Sequence, residues 1–118
     1  MPEMEKIREE NPLKHYDEKK LLANLGLCVR AGKVIFGVPM ICEAMRRESM
    51  HTMTVFEASD TSENTHKRIV DKCKFYRIKH IQLPCSGTVL ASALGKTAHL
   101  AAIAVTDPNM SAMAEKYL

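Results

Sequence analysis

The sequence predicts an α/β protein, a three-layer α/β/α sandwich on a mixed sheet of about four strands. Three observations lead there. Segments with helical periodicity alternate with short apolar segments along the chain. Leu100 to Val105 is almost continuously apolar, as suits a strand covered on both faces. The length of 118 residues matches one domain that can bury a core of its own.

Residues 1–16 read as an N-terminal extension, because they are charged, carry Pro2 and Pro12, and show little periodicity. The domain, residues 17–118, opens with a helix that Asp17 can cap. Its apolar positions are Leu21, Leu22, Leu25 and Val29, and Gly32 ends it. A short strand, Val34 to Phe36, leads through Gly37 into a second helix. Pro39 lies in its first turn, and Ile41, Ala44 and Met45 point inward. Thr52 to Ala58 reads as a strand. Asp60 and Glu63 fit a capping box at the start of a third helix, whose buried stripe is Ile69, Val70 and Cys73. A strand near Ile78 to Leu83, a helix from Thr88 to Leu94 stopped by Gly95, and the strand Leu100 to Val105 follow. Asp107 and Pro108 then start the last helix.

Composition narrows the function classes. Hydrophobic residues make up 46% and charged residues 26%, the mix of a soluble globular protein. A net charge of +3 permits a nucleic-acid partner without demanding one. Distribution says more: between Asp60 and His80, six basic residues (Lys67, Arg68, Lys72, Lys74, Arg77, Lys79) face three acidic ones. Cys28, Cys42, Cys73 and Cys85 form no C-x-x-C pair and the five histidines are scattered, so no zinc site is expected. The N-terminus is charged, and no apolar run approaches the ~18 residues of a membrane span. A cytoplasmic location with free thiols, and no membrane partner, is the expectation.

Catalytic motifs are missing. Gly95-Lys96-Thr97 resembles the end of a phosphate-binding loop, but the glycine that motif needs five positions earlier is Leu90. There is neither a G-x-G-x-x-G nor a G-x-S-x-G. No enzyme activity, cofactor, metal or small-molecule substrate is expected. What stands out is a helix start rich in hydrogen-bonding side chains and followed by cations: Thr61, Ser62, Glu63, Asn64, Thr65, His66, Lys67 and Arg68. Unpaired N–H groups at a helix start suit phosphate. Polar side chains there can read base edges while Lys and Arg meet the backbone. A solvated, capped amphipathic helix is the plainer reading of the same residues, with His66 and His99 as ordinary surface.

Leu25-Gly26-Leu27, Arg30 to Val34 and Gly37, together with Asp60 to Lys67, Asp71-Lys72-Cys73, Leu94-Gly95-Lys96 and Ala102 to Asp107, resemble the ribosomal L-seven-Ae and L-thirty-e superfamily of kink-turn RNA-binding proteins. The likeness is greatest to its bacterial YlxQ-like branch and covers about residues 17–118. It implies an α/β/α sandwich without catalytic activity that binds structured RNA, such as ribosomal RNA or a kink-turn, in ribosome- or translation-associated work. In well-studied members the recognition helix begins Gly-x-Asn-Glu-x-x-Lys. Aligned on Lys67, that pattern puts Thr61 at the Gly, Glu63 at the Asn and Asn64 at the Glu, so the Asn-Glu pair is inverted. The resemblance further implies RNA contacts from Ser62 and Arg68, from Lys33 after the first helix, and from the loop Lys96, Thr97, Ala98 and His99. The alternative is a protein-interaction adaptor that keeps the fold without RNA affinity.

Overall fold

The computed structural model describes residues 16–118; apart from Tyr16, the N-terminal extension lies outside the described residues. The elements are α1 (Glu18–Arg30), β1 (Val34–Phe36), α2 (Val38–Met45), a 3-10 turn (Glu48–Met50), β2 (Thr54–Glu57), α3 (Glu63–Tyr76), β3 (Lys79–Gln82), α4 (Gly87–Ala93), β4 (Ala102–Val105) and α5 (Pro108–Glu115). The sheet order is β1-β4-β2-β3. Strand β2 pairs parallel with β3, and β4 pairs antiparallel with both β1 and β2, so the sheet is mixed.

Local chemistry explains the boundaries. Asp17 caps α1 by accepting from the Lys20 N–H at 3.1 Å. Gly32, at φ 72°, lets the chain leave α1 in a conformation that other residues resist. Asp107 accepts from the Asn109 and Met110 N–H groups and starts α5, with Pro108 as its first residue.

Side-chain alternation along the two central strands builds two cores. Phe56, Ile103 and Val105 meet Leu21, Leu25, Leu90 and Ala114 on the face covered by α1, α4 and α5. Val55, Ala102 and Ala104 meet Ile41, Met45, Ile69 and Cys73 on the face covered by α2 and α3. The expected sandwich is therefore present, and the third helix has Ile69 and Cys73 buried and Lys67 exposed as expected, whereas Val70, expected in the same stripe, is only half-buried and belongs to neither core.

Several boundaries differ from the sequence expectation. The strands expected over Thr52 to Ala58, Ile78 to Leu83 and Leu100 to Val105 are each shorter; among their end residues, the Ala58 N–H donates to Ala101 O at 2.8 Å, the Ile78 N–H to Cys73 O of α3 at 2.8 Å and the Leu100 N–H to Gly87 O of α4 at 3.1 Å. The helix α4 starts and stops one residue earlier than expected, capped by Ser86, whose Oγ accepts from the Val89 N–H. The Asp60–Glu63 capping box is not formed. Ser62 is the N-cap of α3, accepting from the Thr65 N–H at 3.3 Å, and Glu63 is the first helical residue, too early to reach back. Asp60 is drawn away by another donor, the Gly87 N–H at 2.9 Å.

Candidate nucleic-acid interface

The topology brings several chain segments to one end of the sheet. Strands β1 and β2 finish there and β4 begins there, since Phe36 and Phe56 both pair with Ile103. Helices α2 and α3 leave from that end, so both present N-terminal N–H groups on the same side. Gly37, at φ 86°, makes the turn from β1 into α2 and donates its N–H to Ala102 O at 3.1 Å.

A small network ties the loops together. Thr61 Oγ1 donates to Ala58 O at 2.9 Å and lies 3.4 Å from Ala101 O, fastening the approach to α3 against β4. Asp60 Oδ1 accepts from the Gly87 N–H and, at 3.3 Å, from His99 Nε2, joining the loops before α3, α4 and β4. The Gly87 N–H, and behind it His99, hold the Asp60 carboxyl below the usual carboxylate range. The stabilising effect of this carboxylate is thus present at neutral pH, above its unfolded pKa, and fades as pH falls through the lowered value.

The sequence-derived site residues divide into groups. Ser62, Glu63, Asn64 and Lys67 lie exposed along the first turns of α3. The Ser62 hydroxyl caps the helix and the Thr61 hydroxyl is engaged with carbonyls, which leaves Glu63 and Asn64 as the outward polar side chains. Lys67 Nζ lies 2.7 Å from Asp71, which raises the lysine pKa and lowers that of the acid. An exposed pair of this kind is worth little and can give way to a phosphate. Arg68 turns to the α2 side of α3, where it lines a cleft. Lys96, Thr97, Ala98 and His99 line an open cavity of about 360 Å³ against α4. Lys96 also reaches back over the Phe36 ring, with Nζ 4.2 Å from its centroid. Lys33 is not brought to this group. It precedes β1, whose Val34 pairs with Val105, and so lies at the opposite end of the sheet, roughly 13 Å from Gly37 by strand rise.

The helix start at Gly37 adds an observation about the family pattern. Read from this positive-φ glycine, Gly-x-Asn-Glu-x-x-Lys falls on Pro39, Met40 and Glu43. From either helix start, then, the complete polar set of the pattern is missing.

Sequence reasoning missed the most buried polar feature of this region. Glu57, fully buried at the end of β2, accepts from His66 Nδ1 on α3, 2.7 Å from Oε2, and from His80 Nε2 on β3, 2.7 Å from Oε1. His66, expected at the surface, keeps 42% of its side chain exposed, but it sits three residues before Ile69 and seven before Cys73, beside the buried stripe. That spacing was the available signal. Among the described residues no cluster of His, Cys, Asp or Glu could hold a metal ion, so this network is one of hydrogen bonds. It ties the first turn of α3 to two strands. The thiols are suited to packing: burial pushes Cys73 up to about 11 and raises Cys28 and Cys85 as well. No described helix is long and apolar enough to cross a membrane.

The comparisons agree with this architecture. Residues 19–115 match the ribosomal protein L7Ae/L30e/S12e/Gadd45 family. The chain is 35% identical over 83 residues to the RNA-binding protein YlxQ of Bacillus subtilis, covering 70% of this chain and 79% of that protein. It is 36% identical over 67 residues to the RNA-binding protein YlxQ of Enterococcus faecium, covering 57% and 63%. A solved structure of a protein of unknown function from Bacillus halodurans matches with a TM-score of 0.73 and 28% identity, covering 85% of this chain and 97% of that one. With a matched span that takes in every strand of the sheet and both helix starts, the chain belongs to the ribosomal protein L7Ae/L30e/S12e/Gadd45 family.

Proposed function

We propose that the end of the sheet where α2 and α3 begin binds structured RNA, by docking and without turnover. The observation that carries this reading is the convergence there of the two helix starts, the exposed Glu63 and Asn64, and the cations Lys67 and Lys96, with Arg68 in the adjoining cleft. Two relatives that bear the name RNA-binding protein support it. Lysine and arginine would neutralise crowded phosphates. Glu63 and Asn64 would meet base edges of a splayed internal loop, which a regular A-form helix hides. The open cavity beside Thr97 and Ala98 would take an extruded nucleotide. A ribosomal RNA or kink-turn-like element in the cytoplasm is the proposed partner. Because the Asn-Glu-Lys set is incomplete from either helix start, the contacts would differ from those of the family pattern.

The test uses a labelled stem–internal loop–stem RNA with tandem G·A pairs and a fully paired duplex of equal length. Affinity for the looped RNA should fall with salt on a log–log slope of roughly −2 to −3, for about three phosphate contacts. Lys67→Ala should weaken both RNAs nearly equally. Asn64→Ala should instead reduce discrimination between them by about 1–3 kcal/mol. Binding of neither RNA would contradict the proposal and favour an adaptor that docks other proteins.

A further inference from the structure

We infer that the cleft between α2 and α3 is a second RNA-binding surface, which takes an unpaired strand leaving the sheet-end site. The inference rests on the RNA-binding reading and extends it. The two helices start at the same end and pack side by side, so the cleft opens from the proposed interface and runs away from it. It has a volume of about 360 Å³, and Pro39 of the first turn of α2 is part of its lining.

Its lining sorts the cations of the basic segment. Lys67 is engaged by Asp71, and Lys79 by Glu115 at 2.6 Å. Arg68, Lys72, Lys74 and Arg77 make no ion pair among the described residues, and of these Arg68 and Lys72 line the cleft. Arg46 faces them from α2, in a loose 3.7 Å pair with Glu43. Three cations thus stand against one acid. Arg68 and Lys72 are one helical turn apart, roughly 6 Å along the axis, a row rather than a point of charge.

An aromatic pair continues the same side of α3. Phe75, seven residues after Arg68, is 78% exposed, and its ring meets that of Tyr76 edge-on at 4.9 Å. A phenylalanine this exposed, meeting its own fold edge-on at Tyr76, offers a face on which a base can stack. A row of cations ending in an exposed ring matches a nucleic-acid strand with unstacked bases. A free anion would find no enclosed pocket here, since Arg46 and Arg68 are open to solvent, and an acidic peptide would leave the ring without a partner.

The experiment compares the looped RNA with the same RNA carrying a ten-uridine unpaired extension, on its 5′ or its 3′ end. For the unaltered protein, one extension should tighten binding about 10-fold. In Arg68→Gln/Lys72→Gln and in Phe75→Ala that gain should vanish; Phe75→Ala should leave binding of the unextended RNA unchanged. These are surface substitutions, and unchanged melting would show that the fold is intact. If the unextended RNA binds and neither extension adds affinity, the cleft assignment fails while the sheet-end site stands. A gain that survives in the variants also overturns it. Binding of none of the RNAs would remove both readings.

Discussion

Gly87→Ala should destabilise the protein by about 3 kcal/mol or more, at the upper end of the cost of overpacking. Gly87 is the first residue of α4, and both of its backbone polar groups are in use: its N–H donates to Asp60, and its carbonyl accepts from the Leu100 N–H. A Cβ there would lie 2.5 Å from Leu100 O and would run into the His99 ring. The ring can swing away, at the expense of its contact with Asp60. The Leu100 carbonyl belongs to the backbone leading into β4 and cannot move without pulling the sheet. Thermal unfolding should show the loss as a fall in Tm on the order of 4 °C per kcal/mol. A change below about 1 °C would mean that the loop before β4 is free to shift. The same substitution should disturb the Lys96–His99 loop, so RNA affinity should fall along with stability.

Glu57→Ala is expected to cost about 3–5 kcal/mol, the range for breaking a buried, hydrogen-bonded polar cluster by removing one partner. Both carboxylate oxygens are in use, and the side chain is wholly buried between β2, α3 and β3. Its removal opens a cavity and leaves the imidazole of His80, only 19% exposed, short of an acceptor. His66 is 42% exposed and can turn to water, so it contributes less to the cost. Glu57→Gln should lie between, because the amide keeps one acceptor oxygen but puts an NH2 group where the other imidazole N–H must find an acceptor. Urea unfolding of the three proteins would measure the order. Equal stability of all three would show that the network is dispensable.

These two sites mark where sequence reasoning reached its limit. Helix and strand periods alone place Leu21, Leu25, Ile41, Ile69 and Ile103 in the core, and all five are there. Asp17 and Asp107 cap their helices as read, because a cap is a bond between near neighbours in sequence. Asp60 followed the same local rule and was misread. Its preferred donor, Gly87, is 27 residues away and becomes its neighbour only when the sheet forms. Glu57 ends a strand and looks like a boundary residue until parallel pairing with β3 brings His80 beside it. The basic segment from Lys67 to Lys79 was visible as a cluster. Its division between pairs with Asp71 and Glu115 and the cleft beside α2 depends on which side of α3 each residue occupies, and on what packs there. Lys33 shows the same dependence: near Gly37 in sequence, it is carried to the far end of β1 by an extended strand.

Crosslinking the looped RNA to the full-length protein, with the adducts mapped by mass spectrometry, tests the central claim most directly. If the sheet end is the RNA surface, adducts should concentrate in Ser59 to Lys67 and in Lys96 to Ala101, two segments far apart in sequence and joined through Asp60 and Thr61. Adducts confined to the opposite layer, on Lys20 and Arg30 of α1 or on Lys116 after α5, with none at the sheet end, would contradict the account.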